Sequence, residues 1–365
     1  MPLAHKTETH AKHQANKTNK QTIRPVQTRN QRHNRPLQTR ILSANPHQLA
    51  NLRKTYKSRL QIALKEIQNV VDQAAATIQV SGTPFGRPSK TTPQQKTLVI
   101  LTKDLTQFSG RKMADMLPMF TTLNELDLSY KTIQRAYSNP LVKMIIHNMF
   151  IILVKRKNIQ YADLTGDGTG YSLTITRHYR TIKEKQGEAA KSNQAKEKSS
   201  EKSQIAAPQT KQETRKLFTY AFALMDLKTH MYVGYGASIK SEKAAFEAAL
   251  ALMKECDVKP KSVRLDQYYA GQSTAELFGP ETSLYVIPKS NATIKGCYAW
   301  KGMIRDFMYY PFLFLQEYFK REHSESGFSA DKRFNGWKIH ERKDDRIQTA
   351  TICKGVWHNL IWLGG

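Results

Sequence analysis

Apolar positions recur at helical spacing between residues 60 and 78. Leu60, Leu64, Ile67, Val71, Ala74 and Ile78 fall on one face of a single amphipathic helix. A Gly/Pro-containing linker follows from Ser81 to Lys90, and residues 95–156 then read as a helical unit. Ser109 predicts the start of a helix reaching Leu117, and Ser129 the start of one reaching Tyr137. In each, the serine hydroxyl accepts from an N–H that the first helical turn leaves unpaired. The longest apolar run, Met144–Val154, is broken by His147 and Asn148 and is too short to span a bilayer, which predicts a buried helix.

From Tyr161 the period shortens toward two. NIQYADLTGDG and TGYSLTITRHY read as two strands, the first ending at Asp167 beside Gly168 and Gly170, where a tight turn is easy for the backbone. LFTYAFALMDL and HMYVGYGASI read as a further strand or hairpin. Between them lies Glu184–Lys216, a polar insertion rich in Lys, Glu, Gln, Ser and Ala. Ser241 caps a helix through Met253, SVRLDQ is the next strand, Thr274–Phe278 a short helix, and SLYVIP a fifth strand. Residues 300–322 are apolar and aromatic with helical periodicity. This succession is the ribonuclease H-like order, a five-stranded mixed sheet with helices on its faces.

Charge narrows the class of partner. Net charge is +27 and the isoelectric point about 9.9, which favours a polyanion because Lys and Arg neutralise phosphates and release counterions. Residues 1–48 are polar and basic with Glu8 as the sole acid, and are expected to be a disordered basic arm. Residues 49–156 form the helical, DNA-binding region of this reading. There Lys131, Gln134 and Arg135 stand on the helix after Ser129, in a helix-turn-helix variant or a plain helical bundle; both remain open. Residues 157–365 form the catalytic domain, carrying the insertion 184–216. Cys256, Cys297 and Cys353 make no CxxC pair and no zinc pattern, which fits a reduced intracellular protein. The opening MPLAHKTETHAKHQ lacks the apolar segment of a secretory leader, so the expected place is the cytoplasm, at the nucleoid.

The chemistry lies in three acids far apart in sequence. Asp167 stands in GDGTGYSL, Asp266 in SVRLDQYYAG, and Glu325 in the set Tyr318, Arg321, Glu325, Lys332, spaced Tyr-x2-Arg-x3-Glu-x6-Lys. Asp163 rivals Asp167 as the first acid, and Asp167 is preferred because DGTGYSL starts the next strand directly. Asp226 and Asp257 sit in turn-like settings. Alone, each acid reads as a turn, a helix cap or a surface ion pair. Together they are hard oxygen ligands suited to Mg2+ or Mn2+, which also accept phosphate oxygens.

With these residues the chain resembles the DDE transposases of bacterial and archaeal insertion sequences, in the group defined by the Tyr-Arg-Glu-Lys signature, over about residues 155–345. Asp167 in DGTGYSL resembles the first acidic motif of that group and Asp266 its second acid. The resemblance implies that Asp167, Asp266 and Glu325 bind two Mg2+ or Mn2+ ions and are the catalytic acids. It also implies that Tyr318, Arg321 and Lys332 contact transposon-end DNA. Family members often carry a large β insertion before the glutamate helix; here the interval Lys289–Phe314 is short. Trp300 within it resembles an aromatic that stacks on an unpaired base, and reads equally as a core residue. The implied partners are double-stranded DNA, as terminal inverted repeats and target, and a second protomer on that DNA, with no membrane. Two alternatives keep the fold and change the activity: a ribonuclease H-like nuclease or resolvase, and a noncatalytic basic DNA-binding protein derived from a transposase.

Overall fold

Thirteen residues, Tyr161–Leu173, form one unbroken strand, β1, where the sequence suggests two strands and a turn. The reason is its neighbour. β2 (Phe218–Asp226) pairs antiparallel along β1 from Leu164 to Ser172, setting Asp167 opposite Ala223 and leaving the Asp-Gly step no room to turn. The computed structural model describes residues 46–79, 89–174 and 218–364. The arm 1–48 apart from its last three residues, most of the linker Ser81–Lys90, the insertion 184–216 and the end of TGYSLTITRHY lie outside the described residues.

Among the described residues, five α-helices precede the sheet: α1 (Pro46–Ala76), α2 (Pro93–Thr106), α3 (Gly110–Met116), α4 (Tyr130–Ala136) and α5 (Pro140–Arg156). From Arg53 onward α1 belongs to one unit with the rest of the chain. Ser109 and Ser129 cap α3 and α4 as their sequence predicts. Thr92 and Gln95 form a reciprocal capping box at α2. The run Met144–Val154 lies in α5, with Ile145, Ile146, Met149, Phe150, Leu153 and Val154 buried.

The remaining elements are β3 (Tyr232–Ser238), α6 (Glu242–Glu255), β4 (Lys259–Arg264), α7 (Gln272–Leu277), β5 (Ser283–Tyr285), α8 (Tyr298–Tyr309), α9 (Pro311–Phe319), α10 (Glu322–Asn335), β6 (Lys338–Ile339) and α11 (Asp344–Leu363). Strand order is β3-β2-β1-β4-β5. The pairs β1–β2 and β2–β3 are antiparallel, while β1–β4 and β4–β5 are parallel. β6 adds a short parallel pairing to the end of β1 at Ser172 and Leu173.

Glycines set how closely α6 lies on one face. A Cβ at Gly236 would overlap the Ala245 carbonyl and fall 2.6 Å from the Ala249 nitrogen, so the helix backbone rests directly on β3. Helices α10 and α11 cover the opposite face. Asn359 of α11 holds both backbone groups of Tyr232 at 2.8 Å, its Oδ1 accepting the N–H and its Nδ2 donating to the carbonyl. This pairing occupies part of the free edge of β3, where unpaired backbone groups would otherwise remain. The fully buried Trp357 ties α11 to α2 through an indole N–H···O bond of 2.9 Å to Leu101.

Candidate active site

Side chains alternate across a strand, so Thr165, Asp167, Thr169 and Tyr171 share the β1 face that α10 covers. The Thr165 hydroxyl lies 3.3 Å from both the Arg321 carbonyl and the Ser324 hydroxyl. One Asp167 oxygen is 3.5 Å from the Arg321 guanidinium. Lys332 donates to the Thr169 hydroxyl at 2.5 Å. From Thr165 to Thr169 the strand advances roughly 13 Å. From Ser324 to Lys332 the helix advances roughly 12 Å. Helix and strand therefore run in the same direction at matched pace. The six residues between Glu325 and Lys332 bring the lysine level with Thr169.

The junction of α9 and α10 is pinned from below. Arg264, at the end of β4 and only 3% exposed, donates through Nε to the Glu317 carbonyl at 2.9 Å and pairs with the Glu317 carboxylate. Asp266 follows on the same strand end, and its Oδ1 accepts the Tyr268 N–H at 3.1 Å as the cap of a single 3-10 turn. Within that turn the Tyr269 hydroxyl donates to Glu242 at the start of α6, at 2.8 Å. Its ring packs against Phe222 and Phe246. The first acid is thus braced by α10 and the second by α6, from opposite faces of the sheet.

Arg321 lies among the three acids. Its guanidinium donates to Glu325 at 2.7 Å, reaches Asp167 at 3.5 Å, and is within the electrostatic reach of Asp266. Burial pushes the Asp167 carboxyl up to about 6; Arg321 and the Gly168 N–H oppose the rise, while Glu325 and Asp266 add to it. For Arg321, burial disfavours the charge, but Asp167, Tyr318, Glu325 and Asp266 outweigh it and hold the group above its ordinary value. Lys332 is shifted down by burial, between the rings of Tyr171 and Trp337. An open cleft of about 610 Å³ beside this cluster is bordered by Tyr318, Arg321, Glu325 and Ser329.

Among the described residues no three His, Cys, Asp or Glu side chains are arranged to share a metal ion. Asp167 and Glu325 pair with a guanidinium instead of forming a ready cage with Asp266. Their chemistry nevertheless fits a hard cation: all donors are oxygens, and three acids face one arginine. Asp163, the rival first acid, accepts a hydrogen bond from Ser262, four strand residues before Asp167. Asp226 closes a turn by accepting the Thr229 N–H and hydroxyl at 2.9 and 2.7 Å. Asp257 lies just past α6 with φ 58°.

Of its two readings, Trp300 takes that of a core residue. It is 5% exposed, and its indole N–H donates to the Thr293 carbonyl at 2.9 Å. α8 is amphipathic, so Trp300 shares the buried face with Met303 and Ile304. The exposed aromatics nearby are Tyr298, Tyr309, Tyr310 and Phe312. Tyr318 is also largely buried, at 8% exposure. Six residues that position the predicted set carry no local motif to mark them: Arg264, Glu317, Thr165, Thr169, Glu242 and Tyr269.

Fold and site together define a mixed α/β protein in which acids of the sheet lie near Arg321 and Glu325 at the start of a helix that covers one sheet face. No protein-family model matches the chain. Over 298 residues, 82% of this chain and 83% of the relative, it is 39% identical to a probable transposase for insertion sequence element ISA1214 of Archaeoglobus fulgidus. The chain belongs to the insertion-sequence transposases.

Proposed function

We propose that this transposase acts through a ribonuclease H-like domain of the DDE type, cutting the ends of its element and joining them to target DNA. The observation that carries this reading is Arg321, held by Glu325 and Asp167 within the field of Asp266. Acids of β1 and α10 pair with it, and Asp266, just past β4, acts on it electrostatically. The strand order β3-β2-β1-β4-β5, with its change from antiparallel to parallel pairing at β1, supports the ribonuclease H-like assignment.

In this mechanism Asp167, Asp266 and Glu325 would hold two Mg2+ or Mn2+ ions, which when bound supply water activation and stabilise the leaving oxygen. The chain's own side chains set the geometry. Arg321, at the N-cap of α10, sits beside the acids, and Lys332, 11 residues on, stands farther along the same β1 face; both would offer cationic donors to phosphates of the bound strand. Thr169 and Tyr171 fix the lysine, and Ser324 and Thr165 fix the start of α10. Such positioning is where small displacement costs most rate.

The helical region and residues 1–48 would hold the duplex. On α4, Lys131 and Arg135 are exposed while Ile133 and Ala136 are buried, and α4 suits phosphate contact by its basic outer face. Terminal repeats and target DNA are the partners of this reading, and pairing of two ends calls for a second protomer. The protein would work in the cytoplasm at the nucleoid. No single described helix is long and apolar enough to cross a membrane.

The test is an end-cleavage and joining assay on duplexes carrying the element's own ends. Asp266→Asn and Glu325→Gln should each reduce Mg2+-dependent cleavage on the order of 100-fold or more, with DNA affinity kept. Joined products with wild type establish a transposase, whereas cleavage without joining indicates a nuclease. Equal cleavage by wild type and both variants overturns the assignment of these acids.

A further inference from the structure

The acid cluster already contains a cation, and that cation belongs to the chain. Arg321 is 17% exposed and bridges Asp167, 18% exposed, to Glu325, 54% exposed. Nothing else positively charged is bonded to these carboxylates among the described residues: Asp167 otherwise accepts the Gly168 N–H and Asp266 the Tyr268 N–H. Arg321 therefore occupies oxygens of Asp167 and Glu325 that a divalent ion would use. The arginine carbonyl is held by Ser324 at 2.7 Å, so its backbone is anchored. Beyond that anchor the side chain is held by its ion pairs to Asp167 and Glu325. An open cleft lined by Tyr318, Arg321 and Glu325 adjoins the guanidinium.

Resting on the function proposed above, we infer that Arg321 makes metal loading conditional on DNA, excluding divalent ions from the acids until a backbone phosphate draws the guanidinium away. Arginine prefers a phosphate in bidentate geometry at least as well as a single-point carboxylate contact. A phosphodiester arriving in the cleft gives Arg321 a new partner. It also removes the positive charge that repels an incoming cation. Metal and DNA thus strengthen each other's binding through one side chain, and by linkage the coupling is reciprocal. In protein free in solution the guanidinium stays on Asp167 and Glu325 and competes with an incoming ion for them. Lys332 does not substitute for Arg321 in this role. It is bonded to Thr169, between Tyr171 and Trp337, and faces no acid.

The experiment measures Mn2+ binding to the full chain without DNA, by the loss of the free-ion signal in electron paramagnetic resonance. Arg321→Ala and Arg321→Gln should each bind Mn2+ about tenfold or more tightly than wild type, because a charge a few ångströms from the ion is gone. Arg321→Lys, which retains the charge, should stay near wild type. A duplex carrying the element's end should raise wild-type Mn2+ affinity toward that of the variants and move the variants little, with Asp266→Asn correcting for ions held by the DNA itself. Circular dichroism melts establish folding, and two replacements guard against one that fails. Mn2+ binding by Arg321→Ala and Arg321→Gln that is equal to or weaker than wild type overturns the inference while leaving the metal site standing. If no protein binds Mn2+ and Asp266→Asn changes nothing, the metal reading of the site fails with it.

Discussion

The Lys332 ammonium donates to the Thr169 hydroxyl at 2.5 Å, two strand residues past Asp167 on the same face of β1. That bond fixes the C-terminal half of α10 against the strand, just as the contact of Thr165 with Arg321 and Ser324 fixes its N-terminal end. Between them Glu325 is set toward the acids of the sheet.

Lys332 is half-buried and burial lowers its pKa, so holding its charge there opposes folding. Lys332→Met keeps the aliphatic stem against Tyr171 and Trp337 and drops the charge. It should leave the denaturation midpoint unchanged or slightly raised, within about 1 kcal/mol, while end cleavage falls at least about tenfold. Urea melts beside a cleavage assay check this. A large stability loss would mean that the lysine is chiefly structural.

The raised Asp167 carboxyl gives a signed pH effect. Its folded value of about 6 exceeds the ordinary 3.8, so the native protein binds more protons between those values. Its contribution is favourable below about pH 4 and is lost as pH rises through 6. Discounted for partial exposure, the penalty above pH 6 is on the order of 1–2 kcal/mol. In chelator-treated protein, Asp167→Asn should therefore be more stable than wild type at pH 7.5 and gain nothing at pH 4. A difference that does not change with pH would assign the effect to something other than charge.

Two glycine positions should respond differently to alanine. At Gly236 the added carbon meets helix backbone at Ala245 and Ala249, which cannot yield without lifting α6 from the sheet. Gly236→Ala should cost about 3 kcal/mol or more, by overpacking. At Gly168 the added carbon meets the Glu242 carboxylate, with Oε1 2.5 Å away, and that side chain can swing aside. Gly168→Ala should cost less in stability. It should still impair cleavage, because displaced Glu242 releases Tyr269 and with it the turn that carries Asp266. Thermal melts and cleavage rates of the two variants separate these outcomes.

The arm of residues 1–48 has many Lys and Arg side chains against the single acid Glu8. Deleting it should weaken DNA binding and reduce the slope of log K against log salt by roughly one for each phosphate that the arm neutralises. Cleavage by bound complexes should change little. A salt titration of both proteins tests this, and an unchanged slope would show that the arm neutralises no phosphates.

The sequence by itself determined what local chemistry can specify. Helix starts at Ser109, Ser129 and Ser241 needed only a hydroxyl before an apolar period, and all three cap the helices they predict. The spacing from Glu325 to Lys332 placed both on one helix about two turns apart, because helical rise is fixed. The tertiary structure decided what depends on a partner distant in sequence. Asp167-Gly168 became mid-strand and not a turn because β2 pairs with β1 without a break from Leu164 to Ser172. Trp300 became core because the buried face of α8 closes over it. Asp167 was separated from Asp163 by the place where Arg321 lands, which is set by Arg264 gripping Glu317 from another strand. Residue spacing carries the geometry of one element. Which elements meet, and so which acid faces which cation, follows only from packing the two faces of the sheet.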